Sequence, residues 1–177
     1  MTVALPINLA AGQITRIVDG RCTVLHRPQG KRFAELRAGD RLWVREPFCL
    51  PREADRFAPS TAALLGLSFG FPGEVKPGVE PWGKVRPART LPRAAHRQHL
   101  LVADVRLVPV DRIPPEDLAA QGYASVRDLL SSIELALAGF AKFYDPACRP
   151  RPENPVLQAI RFTRIGQPVS PKEKIDG

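Results

Sequence analysis

The stretch of residues 47–97 constrains the fold most, because proline and glycine interrupt every periodic pattern of apolar residues within it. Proline removes a backbone donor and glycine weakens helices and strands, so the stretch favours one long ordered loop. Its apolar run at residues 64–71 predicts a strand in the middle. Loops of this length are usually functional or mobile. We predict an irregular insertion within a single domain over residues 1–166, followed by a flexible tail over residues 167–177.

Shorter periodic segments flank this insertion. Apolar spacings of three and four predict helices, whereas alternation or a short apolar run predicts strands. The predicted helices cover residues 7–19, 114–121 and 125–140. The predicted strands cover residues 22–26, 41–46, 99–108 and 156–165. Because strands and helices do not alternate regularly, the fold class is α+β, and short strands suit a small curved sheet or barrel.

Composition excludes several classes of protein. Of the 177 residues, 44% are apolar and 25% are charged, which is close to the average of soluble globular domains. No apolar run approaches the roughly 20 residues of a bilayer span, and the amino terminus lacks a basic segment. We therefore expect no membrane partner and a cytoplasmic location. The three cysteines form no CxxC pair and no zinc pattern with the three histidines, so we predict reduced thiols, no metal and no cofactor.

The net charge of +8 is unevenly distributed. Residues 21–45 contain seven basic and two acidic side chains, and residues 84–97 contain five basic and no acidic ones. Residues 111–145 contain three basic and six acidic side chains. A clustered excess predicts a basic surface for polyanions such as RNA. Two solvated basic segments that never meet in space would produce the same pattern.

One predicted strand combines charge with an aromatic side chain. Arg41, Trp43 and Arg45 alternate and should share the face opposite to the apolar residues between them. Two guanidinium groups beside an indole suit an unstacked base and its phosphate, but a tryptophan in the core would give the same spacing. Glu46 is predicted to pair with Arg45 or Arg93, or to bind a base amino group.

Four segments resemble the ASCH domain family of the PUA-like superfamily, in the form found in phages and prophages. Residues 19–23 (DGRCT) are similar to the family's DGRKT, and residues 39–46 are similar to its GDRLWVRE. Residues 87–106 resemble its PSIHMPRWASR segment and the strand after it, and residues 154–165 resemble its closing strand. The resemblance covers about residues 7–165.

This resemblance implies a small PUA-like β-barrel flanked by helices, with a cleft beside the helix–strand turn at residues 20–27. It also implies that the ligand is RNA, a nucleotide or a modified nucleoside. The residues that we expect to bind it are Arg21, Thr23, Arg27, Arg41, Trp43, Arg45, Glu46, Arg93 and Arg97. Two further arginines of the insertion, Arg86 and Arg89, are predicted to be solvated.

Some similar proteins hydrolyse the acetyl amide of an N4-acetylated cytidine, using a lysine and a threonine of the turn and a glutamate after the central strand. The matching positions here hold Cys22, Leu25 and Gln121. Leucine has no hydroxyl group, and glutamine cannot accept a proton as a carboxylate does. We therefore predict a module that binds its ligand without this amidohydrolase activity.

Two other functions remain open. The first is a ribonuclease or nucleoside-directed hydrolase with a rearranged site, in which Cys22, near Arg21 and His26, would be the nucleophile. A packed thiol is the simpler interpretation of Cys22. The second is a protein-interaction module that forms a homodimer through the predicted helix at residues 125–140.

Overall fold

A computed structural model describes residues 4–28, 33–138 and 155–165. The strands are β1 (Ala4–Asn8), β2 (Val24–Pro28), β3 (Arg41–Arg45), β4 (His99–Pro109) and β5 (Val156–Ile165). The α-helices are α1 (Ala11–Val18), α2 (Pro59–Leu64), α3 (Pro115–Gln121) and α4 (Val126–Ala138). The predicted tail and the last two residues of the predicted helix at 125–140 lie outside the described residues. None of the described helices is both long and apolar enough to cross a membrane.

The strands form a mixed sheet in the order β1-β3-β4-β5-β2. Strand β1 runs parallel to β3, whereas β3 is antiparallel to β4 and β2 is antiparallel to β5. A mixed sheet with four α-helices confirms the predicted α+β class. The order ends at β1 and β2, so the described strands form an open sheet. The closed barrel that we predicted is not formed by them.

The first predicted helix begins later than its apolar spacing indicates. The sequence predicts a helix from residue 7, but Ala4–Asn8 forms β1 and the helix begins at Ala11. Ile7 lies opposite Val44 in the parallel pair and is buried there. An apolar residue at this position suits either element, and pairing with a strand more than 30 residues away decides between them. The predicted stop at Gly20 is confirmed by its φ of 72°.

The first of two compact units contains the described residues of 1–15, 41–101 and 164–177. Its insertion at residues 47–97 contains one short α-helix, α2, and has a core of its own, whose buried residues are Phe48, Leu50, Ala54, Ala62, Phe71 and Leu91. The strand predicted at residues 64–71 is wrong, because this range holds the end of α2 and a single bridge between Gly70 and Cys49. The expectation of a solvated Arg86 is also wrong. Its guanidinium donates to the carbonyls of Phe57 at 3.0 Å and Asp55 at 2.5 Å.

The second unit contains the described residues of 16–40 and 102–163. Its core joins the segment that follows β4 to α3, α4 and β5 through buried Val110, Ile113, Leu118, Leu129 and Leu157. The apolar side of α4, as far as Ile133, packs against this cluster. Much of the helix face that we assigned to a homodimer is thus used within the chain, and the homodimer stays a prediction. Gly122 ends α3 with a φ of 94°, as its position predicts.

Candidate functional site

Trp43 lies in an aromatic cluster of the first unit. Its ring centroid is 5.0 Å from that of His96, whose centroid is 4.3 Å from that of His99. The guanidinium carbon of Arg45 lies 4.5 Å from the Trp43 ring centroid. Because the middle residues of β3 are buried in succession and Trp43 is only 7% exposed, the exposed stacking surface that we predicted for Trp43 is wrong. The core interpretation is the one that the structure supports.

The two histidines of this cluster are uncharged at neutral pH. Burial is the main reason why the pKa of His99 is lowered to about 4, and the nearby His96, Arg41 and Arg93 contribute to the same shift. Burial also lowers the pKa of His96, although its Nδ1 lies against the carbonyl of Arg93. The Nε2 atoms of both rings are buried and have no hydrogen-bond partner within the described part of the chain. The two imidazoles therefore add no positive charge to the cluster, and the charge beside it comes from arginines such as Arg45.

Glu46 forms the ion pair that we predicted, but with a different arginine. Its carboxylate is buried, with 3% of the residue exposed, and Arg97 donates to both oxygens at 2.8 and 2.9 Å. Arg97 also pairs with Glu74, and its guanidinium carbon lies 4.0 Å from the ring centroid of Phe71. The bond to Glu46 is the main reason why the pKa of Arg97 is raised.

The remaining predicted binding residues are divided between the two units. Arg41 and Arg93 belong to the first unit and Arg21, Thr23 and Arg27 to the second. The exposed members of this set are Arg21, Thr23, Arg41 and Arg93. Arg21 forms an exposed ion pair with Asp19, and burial lowers the pKa of Arg27. Ligand binding by these five residues stays a prediction.

A cavity of about 180 Å³ in the second unit brings together side chains that the sequence did not identify as a common site. Its titratable lining residues are His26, Asp104, Arg106, Arg112, Asp117 and Arg161. Three guanidinium groups and two carboxylates give a net charge of +1 when the histidine is neutral. The signal for this site in the sequence was a spacing of two, because alternate residues of a strand lie on the same face. Asp104, Arg106 and Val108 have this spacing on β4, and Ala159 and Arg161 have it on β5.

Two of the cavity arginines have acidic partners. Arg106 pairs with Asp104, and a Nη of Arg161 lies 3.7 Å from a carboxylate oxygen of Asp117. Arg112 forms no ion pair with any residue in the described ranges and is exposed at the cavity. Arg112 and the loosely paired Arg161 are thus the groups best able to bind a phosphate oxygen.

Gln121 connects α3 to β2 beside this cavity. Its Oε1 accepts from the backbone N–H of His26 at 2.9 Å, and its Nε2 donates to the Asp117 carbonyl at 2.8 Å. The same Nε2 lies 2.8 Å from Nδ1 of His26. Gln121 is 3% exposed. Burial lowers the pKa of His26, against an opposing effect of Asp117, so this imidazole is neutral at neutral pH.

Cys22 cannot serve as the nucleophile of a rearranged site. The residue is 1% exposed, and its thiol donates to the Val24 carbonyl at 3.2 Å. Burial raises the pKa of the Cys22 thiol, whereas a nucleophilic cysteine needs a lowered one. The candidate nucleophile is wrong, and Cys22 is a packed thiol. Cys49 is likewise free and buried, and Cys148 lies outside the described residues.

Within the described residues, no group of three or more histidine, cysteine, aspartate or glutamate side chains is placed to hold a metal ion. In comparisons with known proteins, no family model matches the chain, and neither a curated protein nor a solved structure does. The candidate function therefore rests on the geometry of the second-unit cavity and on the sequence resemblance.

Proposed function

We propose that the protein is an ASCH-type, PUA-like module that binds RNA or a nucleotide in the cavity of the second unit, without amidohydrolase activity. The observation that carries the proposal is the convergence of arginines, carboxylates and a neutral histidine on one hollow. Guanidinium groups bind phosphate oxygens through paired N–H groups. Carboxylates accept hydrogen bonds from the amino groups of bases. A nucleotide needs both kinds of partner.

The size of the cavity limits what can be enclosed. Its volume of about 180 Å³ is below the roughly 300–1,000 Å³ of pockets that take drug-sized ligands. A cavity of this volume can enclose one base, or one sugar with its phosphate, rather than a whole nucleotide. The rest of an RNA strand would lie outside, where the exposed Arg112 can contact its backbone.

The positions that carry the resemblance support this location. The family's cleft lies beside the turn that leads into β2, and its glutamate corresponds to Gln121 at the end of α3. Here His26 on β2 and Asp117 on α3 line the same cavity. Leu25 and Cys22 are fully buried and offer no reactive group, which favours binding over acetyl-amide hydrolysis.

Fluorescence polarisation with a short labelled single-stranded RNA tests the proposal. Binding should weaken steeply between about 50 and 200 mM salt, because phosphate contacts release counterions. Arg112→Ala and Arg161→Ala should each weaken binding about tenfold, which is about 1.4 kcal/mol. The matched control is Arg52→Ala, which removes an exposed arginine of the first unit. A flat salt response together with unchanged affinities of both cavity variants would refute the proposal.

A ribonuclease or nucleoside-directed hydrolase is a second candidate, and one observation favours it. The carboxylate of Asp117 lines the cavity beside the imidazole of His26, and a carboxylate can serve as a general base. Incubation with end-labelled RNA and with N4-acetylcytidine tests this function. Product formation that disappears in Asp117→Asn would establish a hydrolase, and the absence of product with purified protein would reject it.

A further inference from the structure

The hydrogen bonds of Gln121 fix the orientation of its side-chain amide. A backbone N–H can only donate, so the amide atom that meets the N–H of His26 at 2.9 Å must be Oε1. The NH2 group therefore faces both the Asp117 carbonyl and Nδ1 of His26. Rotating the amide by half a turn would place NH2 against an N–H and an oxygen against a carbonyl. That arrangement loses the hydrogen bonds of both amide atoms, so the observed orientation is the one in which Oε1 and Nε2 both have suitable partners.

This orientation determines where His26 carries its proton. The two hydrogens of the Gln121 NH2 group serve the Asp117 carbonyl and Nδ1 of His26, so Nδ1 is an acceptor and carries no hydrogen. A neutral imidazole has one N–H, which must then be on Nε2. With Nδ1 engaged by Gln121, Nε2–H is the ring group that can bond to a ligand in the cavity lined by His26.

We infer that Gln121 is a positioning residue that holds His26 in the Nε2–H tautomer, so that the cavity donates a hydrogen bond to an acceptor atom of the bound base. Asp117 lines the same cavity and accepts from a donor. A base with an amino group beside a ring nitrogen, as in cytosine and adenine, meets both requirements, whereas uracil lacks the amino group. Only the identity of the ligand rests on the proposed function. The tautomer of His26 does not depend on the proposed function. Because Nε2 carries the hydrogen in this tautomer, Nε2 of the neutral ring is ruled out as a general base.

Gln121→Glu changes the chemistry at one atom and should reverse the tautomer. One carboxylate oxygen can still accept from the His26 backbone N–H. The other would then face Nδ1, and a carboxylate has no hydrogen to donate, so Nδ1 must acquire the proton. Nε2 would become an acceptor, or His26 would become an imidazolium whose pKa the carboxylate raises. In either case the neutral Nε2–H donor of the wild type is lost.

Nitrogen-15 NMR of the histidine rings measures this directly, without a ligand. In the wild-type protein we expect the shift of an unprotonated nitrogen at Nδ1 of His26 and that of a protonated one at Nε2. Gln121→Glu should move the proton to Nδ1. The matched control, Gln98→Glu, changes a buried glutamine of the first unit that accepts from Arg164, and it should leave the His26 shifts unchanged. A protonated Nδ1, or averaged shifts, in the neutral wild-type ring would overturn the inference even if Gln121→Glu failed to fold.

Titrations with nucleoside monophosphates separate this inference from the proposed function. Wild-type protein should bind CMP and AMP about tenfold more tightly than UMP, and Gln121→Glu should lose that preference. If no nucleotide binds while the ring shows Nε2–H, the proposed function fails and the positioning role of Gln121 stands. If nucleotides bind but Nδ1 carries the proton, the inference fails and the proposed function stands. Equal binding of CMP, AMP and UMP would refute the assigned base class.

Discussion

Replacing Arg97 by methionine should strongly destabilise the first unit, because it leaves the carboxylate of Glu46 buried without its partner. Arg97 donates to both oxygens of Glu46 at 2.8 and 2.9 Å, and Glu46 is only 3% exposed. Methionine preserves an apolar side chain near the Phe71 ring that the guanidinium covers at 4.0 Å. The substitution thus removes mainly the charge, the two hydrogen bonds to Glu46 and the pair with the more exposed Glu74.

Breaking a buried ion pair from one side costs about 3–5 kcal/mol. The side chain of Arg97 is 22% exposed, so water can approach the pair, and we expect the lower end, about 3 kcal/mol. For a chain of this size that corresponds to a fall in melting temperature of about 6–12 °C. Replacing both partners, as in Glu46→Met with Arg97→Met, should recover most of the loss because no uncompensated charge remains buried.

Urea unfolding followed by tryptophan fluorescence measures these differences, since Trp43 and Trp82 both belong to the first unit. Arg52→Met is the control, because its pair with Glu80 has side chains 54% and 69% exposed and should be worth less than about 1 kcal/mol. The reasoning is refuted if the double variant is less stable than Arg97→Met alone, or if Arg97→Met and Arg52→Met have the same stability.

Three further outcomes test other parts of the structure. Gly70→Ala should destabilise the insertion by about 1–3 kcal/mol, because a Cβ would lie 2.7 Å from the Trp82 ring, and unchanged urea unfolding would contradict this contact. Because the pKa of His99 is lowered to about 4, the unfolded chain binds a proton that the fold excludes, so stability should fall from about pH 6.5 to pH 4 by up to about 3 kcal/mol. His99→Phe should reduce that slope, and calorimetry across this range that finds the same slope in both proteins would exclude His99 as its source. Since burial raises the pKa of the Cys22 thiol, iodoacetamide at pH 8 should label Cys22 only after unfolding, and rapid native labelling in peptide maps would place the thiol at the surface.

Local sequence patterns predicted the class of the fold and several elements. Strand β5 was expected at residues 156–165 and occupies the same residues, and α3 ends at Gly122 as expected. The predicted strand at 99–108 became β4, one residue longer. These elements follow from the spacing of apolar residues and from glycine's access to positive φ, which act over a few residues and are therefore visible in one chain. The predicted ion pair of Glu46 followed from the cost of burying a carboxylate, although its partner did not.

Contacts between distant residues were decided only by the tertiary structure. The parallel pairing that makes Ala4–Asn8 a strand, the separate core of the insertion and the burial of Trp43 leave no periodic trace in the sequence. Gln121 reaches His26 across 95 positions. The sequence alone determined an α+β chain with segmental basic charge. The packing of helices and strands determined which side chains share a cavity. This packing depends on contacts between residues far apart in the chain, and no local spacing of residues encodes those contacts.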